Sequence, residues 1–210
     1  MPAARSAGIF SAALRHWRSR TVSGSRPPKP VDKNKGGHTS KSAFRWWKFI
    51  AIWVCFLLLH FSYEWFPGVA LRVLAEANET VFFHMKMLFV AYVLVSLAEY
   101  FASRHSIRST GSFFASRALV AVAYPWLAIT FWFLAWALGV TFGRAGELIY
   151  ANITTLLGVY LALRMDEILD TLVLRPALQW TIYLLFLAAV ISYVSFSLHP
   201  PLHFFTTPPG

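Results

Sequence analysis

Long apolar stretches separated by short polar connections dominate the chain from residue 44 onwards. A helix needs about 20 apolar residues to cross the hydrocarbon core of a bilayer. Four stretches reach that length, and the fourth stretch along the chain is shorter and more polar. The pattern predicts an all-α polytopic membrane helix bundle. Its five transmembrane helices are expected at about residues 44–66, 81–101, 118–142, 148–165 and 177–197.

The fourth stretch is the weakest of the set because it carries polar side chains, among them Asn152, Thr154 and Thr155. Neighbouring helices can satisfy such groups, so we expect this helix to lie inside the bundle. The segment MDEILDTLVLR that follows it places Asp166 and two further acids on an amphipathic pattern. We interpret this segment as an extension of the fourth helix beyond the membrane.

The termini differ in composition from the apolar region between them. Residues 1–43 are rich in Arg, Lys, Ser, Gly and Pro, and we predict a disordered basic tail. This tail is expected to be solvated or to contact anionic lipid, and a targeting segment is a further interpretation. Residues 44–203 form the predicted transmembrane domain, and residues 204–210 a short C-terminal tail.

Composition and charge support a membrane protein rather than a nucleic-acid-binding one. Only 13% of the residues are charged and 57% are hydrophobic, whereas soluble proteins contain about 25% charged residues. The net charge is +10, but eleven of the nineteen Lys and Arg lie in the first 48 residues. Basic charge beside a membrane span sets orientation or contacts anionic lipid. We therefore expect no nucleic-acid partner.

The distribution of Lys and Arg also predicts the orientation. The tail, the connection around Arg104 and Arg108, and the connection bounded by Arg164 and Arg175 alternate with connections that hold few basic residues. The positive-inside rule then places the N-terminus inside and the C-terminus outside.

A group of ionisable residues lies on the predicted outer side. His60 and Glu64 end the first span on one helix face, and Glu79 and His84 flank the start of the second. His60 and His84 lie at similar depth and can face each other across a helix hairpin. Zinc accepts two histidines together with carboxylates, and the candidate ligands here are His60, Glu64, Glu79 and His84. Two histidines at matched depth also suit a haem. The alternative is polar packing without a cofactor.

Capping and ion pairing explain several of the other polar residues. Asn78 is predicted as the N-cap of the second helix, and Glu79 suits the positive end of its dipole. Lys86 is expected to extend outwards to the carboxylates of that end. Glu99, near the inner end of the same span, is expected to pair with Arg104 or Arg108.

One set of motifs resembles a known family. LHFSYEW, ANETVFFHMK, AEYF and SFSLHPPLHFF, in this order, resemble a domain-of-unknown-function family of small prokaryotic multi-pass membrane proteins. The resemblance covers about residues 55–203, and this chain has Phe83 where the family pattern often carries an acid. It implies a location in the prokaryotic plasma membrane and the architecture described above, but no reaction.

Catalytic motifs are missing from the sequence: there is no HExxH, no phosphate-binding glycine loop and no Ser/His/Asp order. We therefore expect a non-enzymatic accessory, scaffold or assembly component that works with a membrane-protein partner and needs no cofactor. The alternatives are a metal or haem site for hydrolysis or electron transfer, and a carrier of small solutes or protons that uses Glu64, Lys86 and Glu99.

Overall fold

A computed structural model describes residues 45–66, 68, 74 and 80–199, with the side chains of residues 63 and 64 excepted. Every regular element in this part of the chain is helical. The five long helices are α1 (Trp46–Trp65), α2 (Val81–Ser103), α3 (Thr110–Ala137), α4 (Arg144–Leu169) and α5 (Pro176–Leu198). The predicted tails, residues 1–43 and 204–210, lie outside the described residues. An all-helical bundle is thus confirmed for the described residues.

Four of these helices, α2 to α5, are long and apolar enough to cross a membrane. The helix α1 has a shorter apolar part, Trp46–Ser62, and falls below the same length criterion. The bundle therefore has the composition of an integral membrane protein, with four clear candidate spans where the sequence predicted five.

Helices α1 to α4 enclose one apolar core. The contacting pairs are α1 with α2, α2 with α3, α3 with α4, and α1 with α4, so these four helices close a ring. Each contributes buried apolar side chains, for example Ile52, Met87, Val120 and Val159. Burial of such side chains and their dense packing hold the helices in register.

Helix α5 packs outside this ring. It contacts α3, and its aromatic side chains contact α2, as in the pair Phe89 and Phe186, whose ring centres lie 5.3 Å apart. Tyr183 donates a hydrogen bond to the carbonyl oxygen of Gly111 at 2.9 Å. Only 11% of the apolar window of α5 is buried within the chain, so most of its surface is available to lipid or to another helix.

The start of α3 differs most from its predicted boundary. Helix α3 begins at Thr110, eight residues before the predicted start at 118, with Ser109 accepting a hydrogen bond from the amide of Ser112 at 3.3 Å. The predicted span begins at residue 118 and leaves Arg117 in the preceding connection. An isolated charge in a membrane is costly. Within the fold Arg117 is buried against carboxylates, which removes that cost.

The N-cap of α2 is Thr80 and not Asn78. The Thr80 side chain accepts a hydrogen bond from the amide of Phe83 at 3.4 Å, and the helix begins at Val81. A threonine oxygen performs the same capping function as an asparagine oxygen, and the predicted cap, Asn78, lies two residues before the observed one. Asn78 itself lies outside the described residues.

Candidate functional site

Ionisable residues concentrate at the two opposite ends of the bundle. We call the end where α1, α3 and α5 begin and α2 and α4 end the charged end. The opposite end, where α1 ends and α2 begins, is the histidine end. The charged end holds a cluster of ion pairs, and the histidine end holds a cavity with two imidazoles.

At the charged end, Lys48 of α1 lies between two carboxylates. Its Nζ atom donates to Glu99 Oε2 of α2 at 2.6 Å and to Asp166 Oδ2 of α4 at 2.7 Å. Lys48 has no exposed surface, and the Asp166 side chain is 1% exposed. Tyr92 donates its hydroxyl hydrogen to the other oxygen of Asp166. This single aspartate therefore connects α1, α2 and α4.

Arg117 of α3 adds the fourth helix to the cluster. Its Nε and Nη2 atoms donate to the two oxygens of Glu99, each at 3.0 Å. Its Nη1 and Nη2 atoms donate to Asp170 at 2.9 and 3.1 Å. Both contacts are bidentate, the geometry in which a planar guanidinium binds a carboxylate most specifically.

Arg45, just before α1, completes the cluster by contacting Glu99 and Asp170. The charge cluster thus contains three cations (Arg45, Lys48 and Arg117) and three carboxylates (Glu99, Asp166 and Asp170). The formal charges cancel. Together these contacts join α1, α2, α3 and α4, and removal of a buried partner would leave its counter-charge without full compensation.

The sequence-based choice of partners for Glu99 was wrong. Glu99 pairs with Lys48, Arg117 and Arg45, and not with Arg104 or Arg108, which are exposed in the turn after α2. Asp166 lies in the predicted extension of the fourth helix, since α4 continues to Leu169, and its side chain is fully buried within the bundle. The available signal was the presence of Lys48 and Asp166 inside or next to apolar stretches, where an ionisable residue requires a partner.

At the histidine end, the structure brings His60 of α1 and His84 of α2 together, with ring centres 5.5 Å apart. The Nδ1 atom of His84 lies 2.9 Å from the carbonyl oxygen of Thr80. Because a carbonyl oxygen can only accept, Nδ1 is the donor of this contact, and in a neutral ring Nε2 then carries the lone pair. Metal-binding histidines are commonly oriented by a bond of this kind.

A cavity of about 450 Å³ lies beside these two rings. Helices α1 to α4 all contribute to its wall, which includes His60, His84, Arg144, Glu147 and Trp132. Its size is within the range of small-ligand sites, which combine an apolar wall with a few polar groups. The cavity can therefore admit an ion with its water, or a small polar group.

The structure describes only the backbone of Glu64, and it does not describe Glu79, the other predicted ligand. Glu64 lies in the last turn of α1, four residues after His60. Among the described residues, no group of three or more His, Cys, Asp or Glu has the geometry to hold a metal ion. A metal site at this end would therefore require, beside the two imidazoles, a further ligand from Glu64, Glu79 or water.

Lys86 lies at the histidine end without any exposed surface. It donates a hydrogen bond to Ser197 Oγ at 3.1 Å, and its Nζ atom lies 4.2 Å from the ring centre of Phe83. Its predicted contact with the carboxylates of that end stays a prediction, because the side chains of Glu64 and Glu79 lie outside the described part. The contact with Ser197 attaches the end of α5 to α2. A cation over an aromatic ring is stabilised by the electrons of that ring.

Comparison of the chain with protein-family models, with curated proteins and with solved structures gives no match. The resemblance to a family of small prokaryotic membrane proteins stays a prediction.

Proposed function

We propose that the protein is a multi-pass membrane protein that binds one transition-metal ion at the histidine end, through His60 and His84. The observation that carries this proposal is the 5.5 Å separation of the two imidazole rings beside the cavity. An ion about 2 Å from one nitrogen of each ring puts the two ring centres roughly 5 Å apart in tetrahedral geometry. The observed separation requires only a small adjustment.

A haem between the two histidines fits less well because of Phe56. The ring centre of Phe56 lies 6.2 Å from that of His60 and 6.4 Å from that of His84, so Phe56 is almost equally distant from both. A porphyrin whose iron bound both histidines would extend in all directions from the midplane between them. Phe56 occupies that midplane, and we therefore favour an ion over haem.

The third ligand in this proposal is Glu64, because its spacing from His60 puts both on one face of α1. Glu79 is the alternative. With two or three protein ligands, zinc retains an open position for water, and bound zinc can make such a water a nucleophile near neutral pH. A hydrolytic role is one use of the site, and structural stabilisation of the α1–α2 hairpin is another.

Five spans remain our proposal for the topology. His60 of α1 contacts the start of α2, and Lys48 of α1 contacts Glu99 near the end of α2. Helix α1 therefore runs beside α2 for most of its length, which supports a crossing by α1 despite its short apolar part. We place the N-terminus inside, the C-terminus outside and the chain in a prokaryotic plasma membrane.

A second candidate function is an accessory, scaffold or assembly role. The observation in its favour is the large apolar surface of α5, of which only 11% of the span window is buried within the chain. A partner helix could pack there in place of lipid. A carrier role through Glu99 has less support, since both oxygens of Glu99 are engaged by Lys48 and Arg117.

Metal analysis of the purified full-length chain tests the leading proposal. We expect about one equivalent of zinc per chain after incubation and desalting, and at least about tenfold weaker binding in His84→Ala. His105→Ala is the matched control, because His105 is an exposed histidine at the charged end. It should bind like the wild type.

Absorbance and thermal unfolding distinguish the alternatives. A bound ion should raise the unfolding temperature of the wild type and of His105→Ala but not that of His84→Ala. A Soret band that is present in the wild type and lost in His84→Ala would indicate that the site binds haem and not a single metal ion. A wild type that neither retains metal nor is stabilised by it would refute the proposal and leave the scaffold role.

A further inference from the structure

A second cavity, of about 400 Å³, lies at the charged end between the α2–α3 and α4–α5 connections. Its wall is unusually rich in hydroxyl groups. Ser103 and Ser106 come from the end of α2 and the turn after it, and Ser109, Ser112 and Ser116 from the start of α3. Hydroxyls donate hydrogen bonds readily, and oxygen-rich anions accept them.

The formal charge of this wall is positive. Arg45, Arg108 and Arg117 contribute three positive charges, and Glu99 and Asp170 contribute two negative charges. Arg45 and Arg117 are paired with these carboxylates. Arg108 is exposed, and in the described part of the chain no carboxylate forms an ion pair with it. The excess positive charge therefore belongs to Arg108.

The start of α3 adds to the positive potential. Ser109 and Ser112 belong to its N-cap and first turn and line the cavity, and the first turn contains no acidic residue. Free backbone amides and the helix dipole favour an anion at such a position. Arg45 also retains donors, because its guanidinium has five N–H groups and its side chain is 31% exposed.

The other side of the same cavity is apolar. Trp47 of α1 is 50% exposed, and Leu172 and Val173, after α4, are 48% and 84% exposed. These residues lie at an end of the bundle, where the polar headgroups of a bilayer meet its hydrocarbon. The cavity thus offers an anion-binding wall and an apolar wall side by side.

We infer that this cavity binds the phosphate group of an anionic phospholipid, with Arg108 and the hydroxyls of Ser106, Ser109 and Ser112 on the phosphate and Trp47 and Val173 beside the acyl chains. The Ser116 hydroxyl is not included, because it donates to the carbonyl oxygen of Phe113 at 2.8 Å. The inference is independent of the metal site, and it requires only that the bundle lies in a bilayer. It concerns a pocket built by the helices and not the basic tail. Pockets of this kind between membrane helices are known to bind lipid headgroups.

Native mass spectrometry of the full-length protein, titrated with phosphatidylglycerol or phosphatidylcholine, tests this inference. We expect saturable binding of phosphatidylglycerol in preference to phosphatidylcholine. Arg108→Ala should weaken that binding about fivefold, the effect of one basic residue near a membrane surface. Arg175→Ala is the matched control, because Arg175 is an exposed arginine of the same end that does not line the cavity. It should have little effect.

A second variant keeps the test independent of Arg108. Ser106→Asp introduces a negative charge into the hydroxyl wall, at an exposed position outside the charge cluster, and should abolish the preference for phosphatidylglycerol. Equal losses in Arg108→Ala and Arg175→Ala, or equal binding of both lipids, would overturn the inference. If millimolar inorganic phosphate displaced the bound lipid, the ligand of this cavity would be a soluble phosphate and not a phospholipid.

Discussion

At the residue scale, the stability of the bundle depends on a few charged side chains. Lys48 contacts a carboxylate on each of two other helices and has no exposed surface. Its ammonium group is compensated only while Glu99 and Asp166 remain in place. Loss of one of these side chains leaves the other charges buried without a full set of partners. The free-energy cost of that state exceeds the stabilisation that the intact ion pair provides.

We predict that Lys48→Met lowers the free energy of unfolding by about 3–5 kcal/mol, because Glu99 and Asp166 lose a shared cation. Methionine retains most of the aliphatic volume, so the effect reports the charge. Thermal and SDS-induced unfolding of the purified protein in detergent, followed by tryptophan fluorescence, measures it.

Arg164→Met is the matched control for this prediction. Arg164 pairs with Glu167 one turn away, and its side chain is 53% exposed, so its loss should change the free energy by about 1 kcal/mol or less. The double variant Lys48→Met/Asp166→Asn should be less destabilised than the sum of its single variants. Equal stability of Lys48→Met and Arg164→Met would contradict a stabilising role for the cluster.

At the scale of the elements, the close contact between α3 and α4 depends on a glycine. A Cβ atom at Gly158 would lie 2.9 Å from Ala128 Cβ and 3.1 Å from Tyr124 Cε2. Small residues allow membrane helices to approach closely and to gain dispersion contacts in the absence of a hydrophobic driving force. Asp166 of the charge cluster and Thr154 of the cavity wall lie on the same helix, about two turns after and one turn before Gly158.

We predict that Gly158→Ala lowers the free energy of unfolding by about 1–2 kcal/mol, because overpacking outweighs the gain in helix propensity. Gly146→Ala in the same helix should instead be neutral or stabilising by up to about 1 kcal/mol. There the nearest atoms belong to Phe142 at 3.5 Å, an ordinary contact distance.

Thermal unfolding of the two variants in the same detergent measures the difference in sign. A compensating change, Ala128→Gly together with Gly158→Ala, should recover part of the loss by restoring space at the contact. If Gly158→Ala were as stable as Gly146→Ala, the approach of α3 and α4 would not limit packing.

At the scale of the whole molecule, the two ends of the bundle have different chemistry. The charged end combines the ion-pair cluster with the cavity proposed for lipid phosphate, and the histidine end contains the cavity proposed for metal. If all five helices cross the bilayer, the two sites face opposite sides of the membrane. The topology therefore decides which compartment supplies each ligand.

We predict that reporter fusions place the N-terminus inside and the C-terminus outside. A fluorescent protein fused to the N-terminus should be fluorescent, and alkaline phosphatase fused after residue 199 should be active, because five crossings put the termini on opposite sides. Inactive phosphatase combined with a fluorescent C-terminal fusion would indicate an even number of crossings, with α1 as the helix that does not cross.

The sequence allowed the helices to be located because the transfer of a segment into a bilayer depends on that segment's own composition. It also placed His60 and His84 near each other, since two helices joined in a hairpin put residues of similar depth side by side. The ends of α3 were harder to predict, because Arg117 resembles a loop residue until its carboxylate partners are known.

The sequence by itself therefore determined the helical class, the approximate positions of the long helices and the proximity of His60 and His84. Only the tertiary structure decided how the charges pair: Lys48 and Asp166 are 118 residues apart in sequence, and their contact depends on the rotation of each helix and on its choice of neighbours. Apolar composition sets whether a helix enters the membrane but not which face it turns to another helix. Packing contacts such as that at Gly158 set that face, and they exist only when the whole bundle has assembled.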